Sequence, residues 1–422
     1  MPDAAPLPNR RRFLAGSSAT GLATLLPGAA EAAQKGVLTG FDLARRQGFP
    51  MLRHGPFGLI ANPTSVDATG VHIADILHET AGVPLAAMFG PEHGFRGSAQ
   101  AGKSEARSRD ARTGLPVFDI YAKSGDALTA IFRAAGIGCV VFDIQDVGVR
   151  FYTYISTLFD SLVACARLGY EMIVLDRPNP ITGLDCAGPV MQPGYESFIG
   201  RAAIPIRHGM TVGELARLFN AAFVPALAGR PARLRVVGMQ GWSRDMWYDR
   251  TGLIWVPPSP NMPSLETAIV YPGTCLFEGT TLSVGRGTTM PFAYLGGPEV
   301  DGAAWVAALR RRALPGCVFR ETYFTPGFSR HAGETIMGLE LIVTDRQAFA
   351  PIPTALTMLS DALRLAGKPF WSDGGRTFDL LAGDGDTRAM LERGVAPERI
   401  VAGWQPALDR FRARRSGYLL YS

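Results

Sequence analysis

The chain has no GxGxxG run after its first β-rich segment and no GxSxG. The first absence disfavours a dinucleotide cofactor, and the second removes the nucleophile elbow of α/β-hydrolases. Cysteine is scarce as well. Cys139, Cys165, Cys186, Cys275 and Cys317 form no CxxC pair, their odd number forbids full pairing, and their spacing fits no zinc motif. His72 and His78 lie six residues apart and so do not share a helix face in the HExxH manner. Asp384-Gly385-Asp386 is a fragment of a calcium loop without the rest of it. No metal and no cofactor is therefore expected. The net charge of +5 is spread along the chain with no basic block, which gives no support to nucleic-acid binding. After residue 33 no run of about 18 apolar residues occurs, so no transmembrane helix is expected.

What is present is a chain of 422 residues, 47% hydrophobic and 19% charged, able to bury a large core. Gly 49 and Pro 31 point to many tight loops. Residues 1–33 read as an export signal: Arg10-Arg11-Arg12-Phe13-Leu14 resembles the twin-arginine motif, and Ala29-Ala30-Glu31-Ala32-Ala33 offers a small-residue cleavage site. The protein is accordingly expected in the periplasm or otherwise exported. Residues 34–273 alternate short β-rich runs with amphipathic stretches. The strand candidates are Gly58–Ala61, Leu85–Phe89, Cys139–Phe142, Met172–Leu175 and Leu234–Val237. Helix candidates lie near His72–Thr80, Asp126–Ala135, Tyr154–Leu168 and Thr211–Phe223, the last opened by a Thr211/Glu214 capping box. Short strands without polar alternation belong to parallel sheets covered on both faces. The fold class is therefore α/β, a doubly wound and mostly parallel sheet. Residues 274–422 read as a second, smaller α+β C-terminal domain, with helices at Trp305–Leu314, Thr354–Leu365 and Gln405–Arg414 and a strand at Gly338–Thr344.

Polar clusters follow three of these strands, on the sheet edge where open α/β folds bind ligands. Gly90-Pro91-Glu92-His93-Gly94-Phe95-Arg96-Gly97 puts an acid, an imidazole and a guanidinium in a glycine-bracketed loop. A sheltered Glu92 suits a general acid; a turn in which Glu92 pairs with Arg96 is the alternative. Asp143 and Asp146, followed by Arg150 and Tyr152, offer the second carboxylate that glycoside cleavage needs, or else a helix cap and a partner for Arg150. Asp176-Arg177-Pro178-Asn179-Pro180 suits sugar hydroxyls and a carboxylate, and is also a good turn. His208, Ser259, Asn261, Glu278 and Arg286 are further candidates, the last two at the junction of the domains. A metal site through His93 with Asp143 or Asp146 is a further alternative.

Seven ordered blocks resemble the exo-β-N-acetylmuramidases of the NamZ type: Phe89–Gly97, Gly114–Tyr121, Val141–Leu158, Leu175–Pro180, Pro205–Ala216, Trp255–Pro263 and Tyr271–Phe292. The resemblance implies a Rossmann-like domain, a smaller C-terminal domain and an active site in the cleft between them. It implies release of N-acetylmuramic acid (MurNAc) from the non-reducing end of peptidoglycan fragments. By matching positions Glu92 is the first catalytic carboxylate, with His93, Arg96, Asp143, Asp146, Arg150, Tyr152 and Asn179 lining the cleft. The second carboxylate falls among Asp143, Asp146 and Glu278, and Arg150, Arg177 or Arg286 would hold the acid arm of muramic acid. The sequence departs from the family pattern after Pro291-Phe292 and at Met337, which bears on the aglycone rather than the reaction. Two other classes stay open: an exported glycan-binding protein without turnover, and a metal-dependent hydrolase of another wall bond.

Overall fold

A computed structural model describes residues 36–366 and 369–422. The twin-arginine segment lies outside the described residues. Twelve strands are found among them: β1 Phe57–Ala61, β2 Leu85–Gly90, β3 Ser108–Arg109, β4 Pro116–Asp119, β5 Cys139–Asp143, β6 Glu171–Leu175, β7 Ala187–Val190, β8 Pro205–Arg207, β9 Arg233–Val237, β10 Tyr294–Gly296, β11 Cys317–Phe324 and β12 Ile336–Val343. Seven of them form one sheet in the order β3-β4-β2-β1-β5-β6-β9. All its pairings are parallel except β3 with β4.

The apolar strands sort their side chains by parity. Ile60, Val140, Phe142, Met172 and Val174 enter one core cluster, while Leu59, Ala61, Val141, Ile173 and Leu175 enter the other. Alternation across a strand produces this split, and burial on both faces is why these strands read as unbroken apolar runs. β3 and β4 escaped the sequence reading for the converse reason. β3 is two exposed residues, and β4 is a four-residue stretch with two buried side chains that begins with Pro116. Proline is tolerated at the first position of such a strand but hides it.

The strand order sets the site. β1 lies between β2 and β5, so the chain runs outward through β2 and β4 and then crosses back to the other side of β1. Loops diverge at that switch, and the crevice outside the carboxyl ends of the strands is where such sheets take ligands. Helices that frame it start and stop as their ends dictate. Thr211 and Glu214 make the reciprocal capping box of Val212–Ala222. Tyr154–Leu168 ends at Gly169, whose φ of 74° is the left-handed cap that glycine supplies most readily.

The C-terminal part builds an antiparallel sheet, β10-β12-β11, covered by Gly302–Arg312, against which Pro351–Leu365 packs in turn. Trp305 is buried between them and donates its indole N–H to the Met358 carbonyl at 3.1 Å. β11 is masked in the sequence because its alternation breaks at the exposed charged pair Arg320-Glu321. The last helix runs Pro397–Arg415, straight through Pro406. Gln405–Arg414, the helix expected from the sequence, is its C-terminal half. The final residues return to the large sheet, where the Tyr421 hydroxyl donates to Asp176 Oδ2 at 2.5 Å and the Leu420 amide to Glu214 Oε1 at 2.7 Å. No helix of the described residues is long and apolar enough to cross a membrane.

Candidate active site

The loop after β2 is built to aim Glu92. His93 adopts φ +71°, a conformation that costs a residue with a Cβ and persists only where its surroundings over-determine it. Here the surroundings are its amide, which donates to the Lys103 carbonyl at 2.9 Å, and its ring Nδ1, 3.0 Å from the Ala99 carbonyl. Gly97 turns at φ +80° with its α-carbon so close to Pro63 that a Cβ would enter the proline ring. Arg96, read as a cleft residue or a partner for Glu92, does neither. It clamps Asp75 at 2.7 Å and Asp110 at 2.9 Å and so ties the loop to its neighbours. That pairing, more than any other contact, holds the Asp110 carboxyl well below the usual range.

Glu92 itself is half-buried. Its Oε1 accepts from the Gly102 amide at 2.8 Å and its Oε2 from the Thr153 hydroxyl at 2.5 Å. The two bonds fix the carboxyl in a cleft of about 450 Å³, within the usual range for small-ligand sites. Around the cleft the large-sheet loops contribute Glu92, His93, Tyr121, Tyr152, Thr153, Phe198 and Ser259. The C-terminal part contributes Tyr271, Glu278, Arg286, Phe292 and Ser329. Tyr152 stands edge-on to Tyr154 and Tyr271, with ring centres 5.3 and 5.7 Å away. Burial pushes its hydroxyl well above the ordinary pKa, so it stays a neutral donor. Glu278 accepts from Arg286 Nε at 2.6 Å, and the Arg286 guanidinium lies over Phe292, 5.0 Å from the ring centre. Burial works against the Arg286 charge, yet Glu278 outweighs it and raises the group above its ordinary value.

The remaining residues read from sequence stand at the strand ends but behind the cleft lining. Asp143 is fully buried and paired with Arg177; burial raises its carboxyl, and Arg177 opposes that. Asp146 accepts from the Gly148 amide at 2.7 Å and lies 3.6 Å from Nε2 of fully buried His208. Among the described residues Arg150 has no carboxylate within ion-pair distance. It donates instead to the carbonyls of Pro189, Ile204, Leu381 and Ala382 at 2.7–3.0 Å. Burial lowers it to about 9, opposed by Asp384. Asp176 accepts from Thr211, Gly213 and Tyr421, and its burial raises the carboxyl to about 7. Asn179 bridges the Met210 carbonyl and the Ile181 amide at 3.0 and 3.1 Å. Asn261 is buried just beyond Ser259, whose hydroxyl accepts its amide at 3.1 Å.

The structure thus brings together Glu92, His93, Tyr152, Ser259, Glu278 and Arg286, and sets the others in a polar scaffold beneath them. It adds residues the sequence did not single out. Thr153 follows Tyr152 directly, Tyr121 sits at the end of the unrecognised β4, and Phe198 lies on a loop without periodicity. Tyr121 and Phe198 meet edge to face at 5.5 Å on the cleft wall. Among the described residues no group of three or more His, Cys, Asp or Glu side chains is placed to hold a metal ion.

Two family models match the chain: exo-β-N-acetylmuramidase NamZ, N-terminal, over residues 57–266, and its C-terminal counterpart over residues 269–421. The chain is 42% identical over 385 residues to the peptidoglycan β-N-acetylmuramidase NamZ of Bacillus subtilis, which covers 91% of each protein. Crystal structures of two DUF1343 family proteins from Bacteroides fragilis superpose with TM-scores of 0.83 and 0.72 at 33% and 30% identity. Both cover 92% of this chain, and 100% and 99% of their own. Matched in both halves and along nearly its whole length, the chain belongs to the NamZ exo-β-N-acetylmuramidase family.

Proposed function

We propose that this protein is an exo-acting glycoside hydrolase that releases MurNAc from the non-reducing end of peptidoglycan-derived glycans. Glu92 protonates the departing glycosidic oxygen, and Glu278 is the second carboxylate, acting as base, nucleophile or charge stabiliser. The observation that carries this reading is the meeting of two carboxylates, one from each family-matched half, in a single cleft with aromatic walls. Most glycoside hydrolases work with such a pair.

Each neighbour has a task in this scheme. The Thr153 hydroxyl can donate to the Glu92 carboxylate or accept from its protonated form, so it suits both ends of a proton transfer. Arg286 keeps Glu278 oriented and stabilises its charge. Tyr152, Tyr271 and Phe292 give the sugar apolar faces and exclude water. Asp143 and Asp146 are set aside as the second carboxylate because both are buried behind the cleft lining, with Asp143 occupied by Arg177. An address outside the cytoplasm, in the periplasm or beyond, belongs to the same proposal and rests on Arg10-Arg11-Arg12-Phe13-Leu14.

The test is product analysis. The full chain is incubated with defined MurNAc-terminated oligosaccharides and with otherwise equal chains ended by N-acetylglucosamine, and products are followed by mass spectrometry. Single MurNAc units released from the first set alone support the reading. Internal fragments, or no cleavage, overturn it.

A further inference from the structure

Beside the main cleft lies a recess of about 70 Å³ that shares Glu278, Arg286 and Ser329 with it and is closed by Leu282, Val284 and Arg330. One water needs about 10–15 Å³ on that scale. The recess therefore takes a small polar group of a few atoms and excludes a sugar ring.

Its guanidinium donors are only partly used. Arg330 Nη2 donates to the Glu278 carbonyl at 3.0 Å, but Arg330 Nη1 is buried with no hydrogen-bond partner among the described residues. A buried guanidinium nitrogen without an acceptor is costly, and native proteins rarely leave one. Arg286 gives its Nε to Glu278, which leaves its two Nη groups for a ligand. Two guanidinium charges against the one carboxylate of Glu278 leave the recess cationic. The loop that presents Arg330 is bent on both sides, with φ +74° at Ser329 and +57° at His331. The His331 ring is tied down 3.1 Å from the Thr281 carbonyl. Such conformations at residues with a Cβ cluster where a ligand is clamped.

We infer that this recess is the acid subsite: Arg330 and Arg286 together receive the carboxylate of the ether-linked side arm on the terminal sugar. A carboxylate matches the planar forks of two arginines and supplies the acceptor that Arg330 Nη1 lacks. The subsite makes the enzyme discriminate acid-bearing amino sugars from those without the acid, and Arg330 is its specificity-determining residue. The inference rests on the muramidase reading above.

Three chromogenic substrates test it with the full chain: a β-N-acetylmuramide, its methyl ester, and the β-N-acetylglucosaminide. The wild type is expected to lose about 10- to 100-fold in kcat/KM from acid to ester, the range of one hydrogen bond to a charged group. Arg330→Gln should lose a similar factor on the acid, mainly through KM, and nothing further on the ester. Arg330→Lys should recover part of the loss. If Arg330→Gln slows acid and ester equally, Arg330 merely props the Glu278 backbone and the inference is overturned. The wild-type comparison of acid with ester decides the matter even where a variant does not fold. Equal rates there overturn the subsite and leave the muramidase reading standing. No cleavage of any muramide removes both.

Discussion

Thr153→Val isolates one contact of Glu92. The hydroxyl donates to Glu92 Oε2 at 2.5 Å, and valine keeps the branched shape while removing that donor. Thr153 also precedes the helix Tyr154–Leu168, but its side chain makes no capping bond there, so the helix is untouched by the change. A hydrogen bond to a charged group is worth about 1.5–3 kcal/mol. Glu92 is half-buried and keeps its second donor, the Gly102 amide at 2.8 Å, which places the loss at the lower end. About 1.5 kcal/mol corresponds to roughly tenfold in rate. The expected result is therefore a tenfold drop in kcat on a chromogenic muramide with KM and melting temperature nearly unchanged. Thr153→Ser, which retains the hydroxyl, should restore most of the rate. Wild-type kcat in Thr153→Val, or an equal loss in both variants, would refute the role assigned to this contact.

Arg150→Met should cost at least about 3 kcal/mol in denaturant midpoint experiments, because it strands the four carbonyls that Arg150 now satisfies. An unchanged midpoint with a raised KM would instead make Arg150 a substrate contact. Glu278→Gln should lower kcat about 10²-fold or more with the fold intact, and near-normal turnover would return the second carboxylate to the other acids. Burial, the largest influence on His72, holds its ring down at about 4 from an ordinary 6.5. The folded state thus refuses a proton that the unfolded chain takes up, and stability is lost as pH falls from 6.5 towards 4, by about 3 kcal/mol in all. His72→Gln should flatten that part of the stability curve; an identical slope in the variant would contradict it.

Much of the scaffold could be read from the sequence, because local rules fix it. The strands at Phe57, Leu85, Cys139 and Glu171 are buried on both faces and so show as apolar runs, while Arg233–Val237, at the sheet edge, is only partly buried. The Thr211/Glu214 cap is a spacing that physics rewards wherever it occurs. Glu92 was legible because glycines bracket it at a strand end. What the sequence does not reveal is which side of a loop faces the cleft. Asp143 ends one strand and Glu92 follows another, yet the first is sealed against Arg177, 34 positions away, and the second opens to the ligand space. The carbonyl partners of Arg150 run from Pro189 to Ala382, a set that only the folded chain assembles. Arg330 and Phe198 carry no motif. Their places come from loops whose paths depend on packing rather than on propensity.

The most direct test of the account is the turnover number of Glu92→Gln on a chromogenic β-N-acetylmuramide. The amide keeps the shape of the side chain and its place beside Thr153 and Gly102, but it has no proton to give. The account predicts a fall in kcat of about 10²- to 10⁴-fold with an unchanged melting temperature. Turnover close to that of the wild type would contradict it.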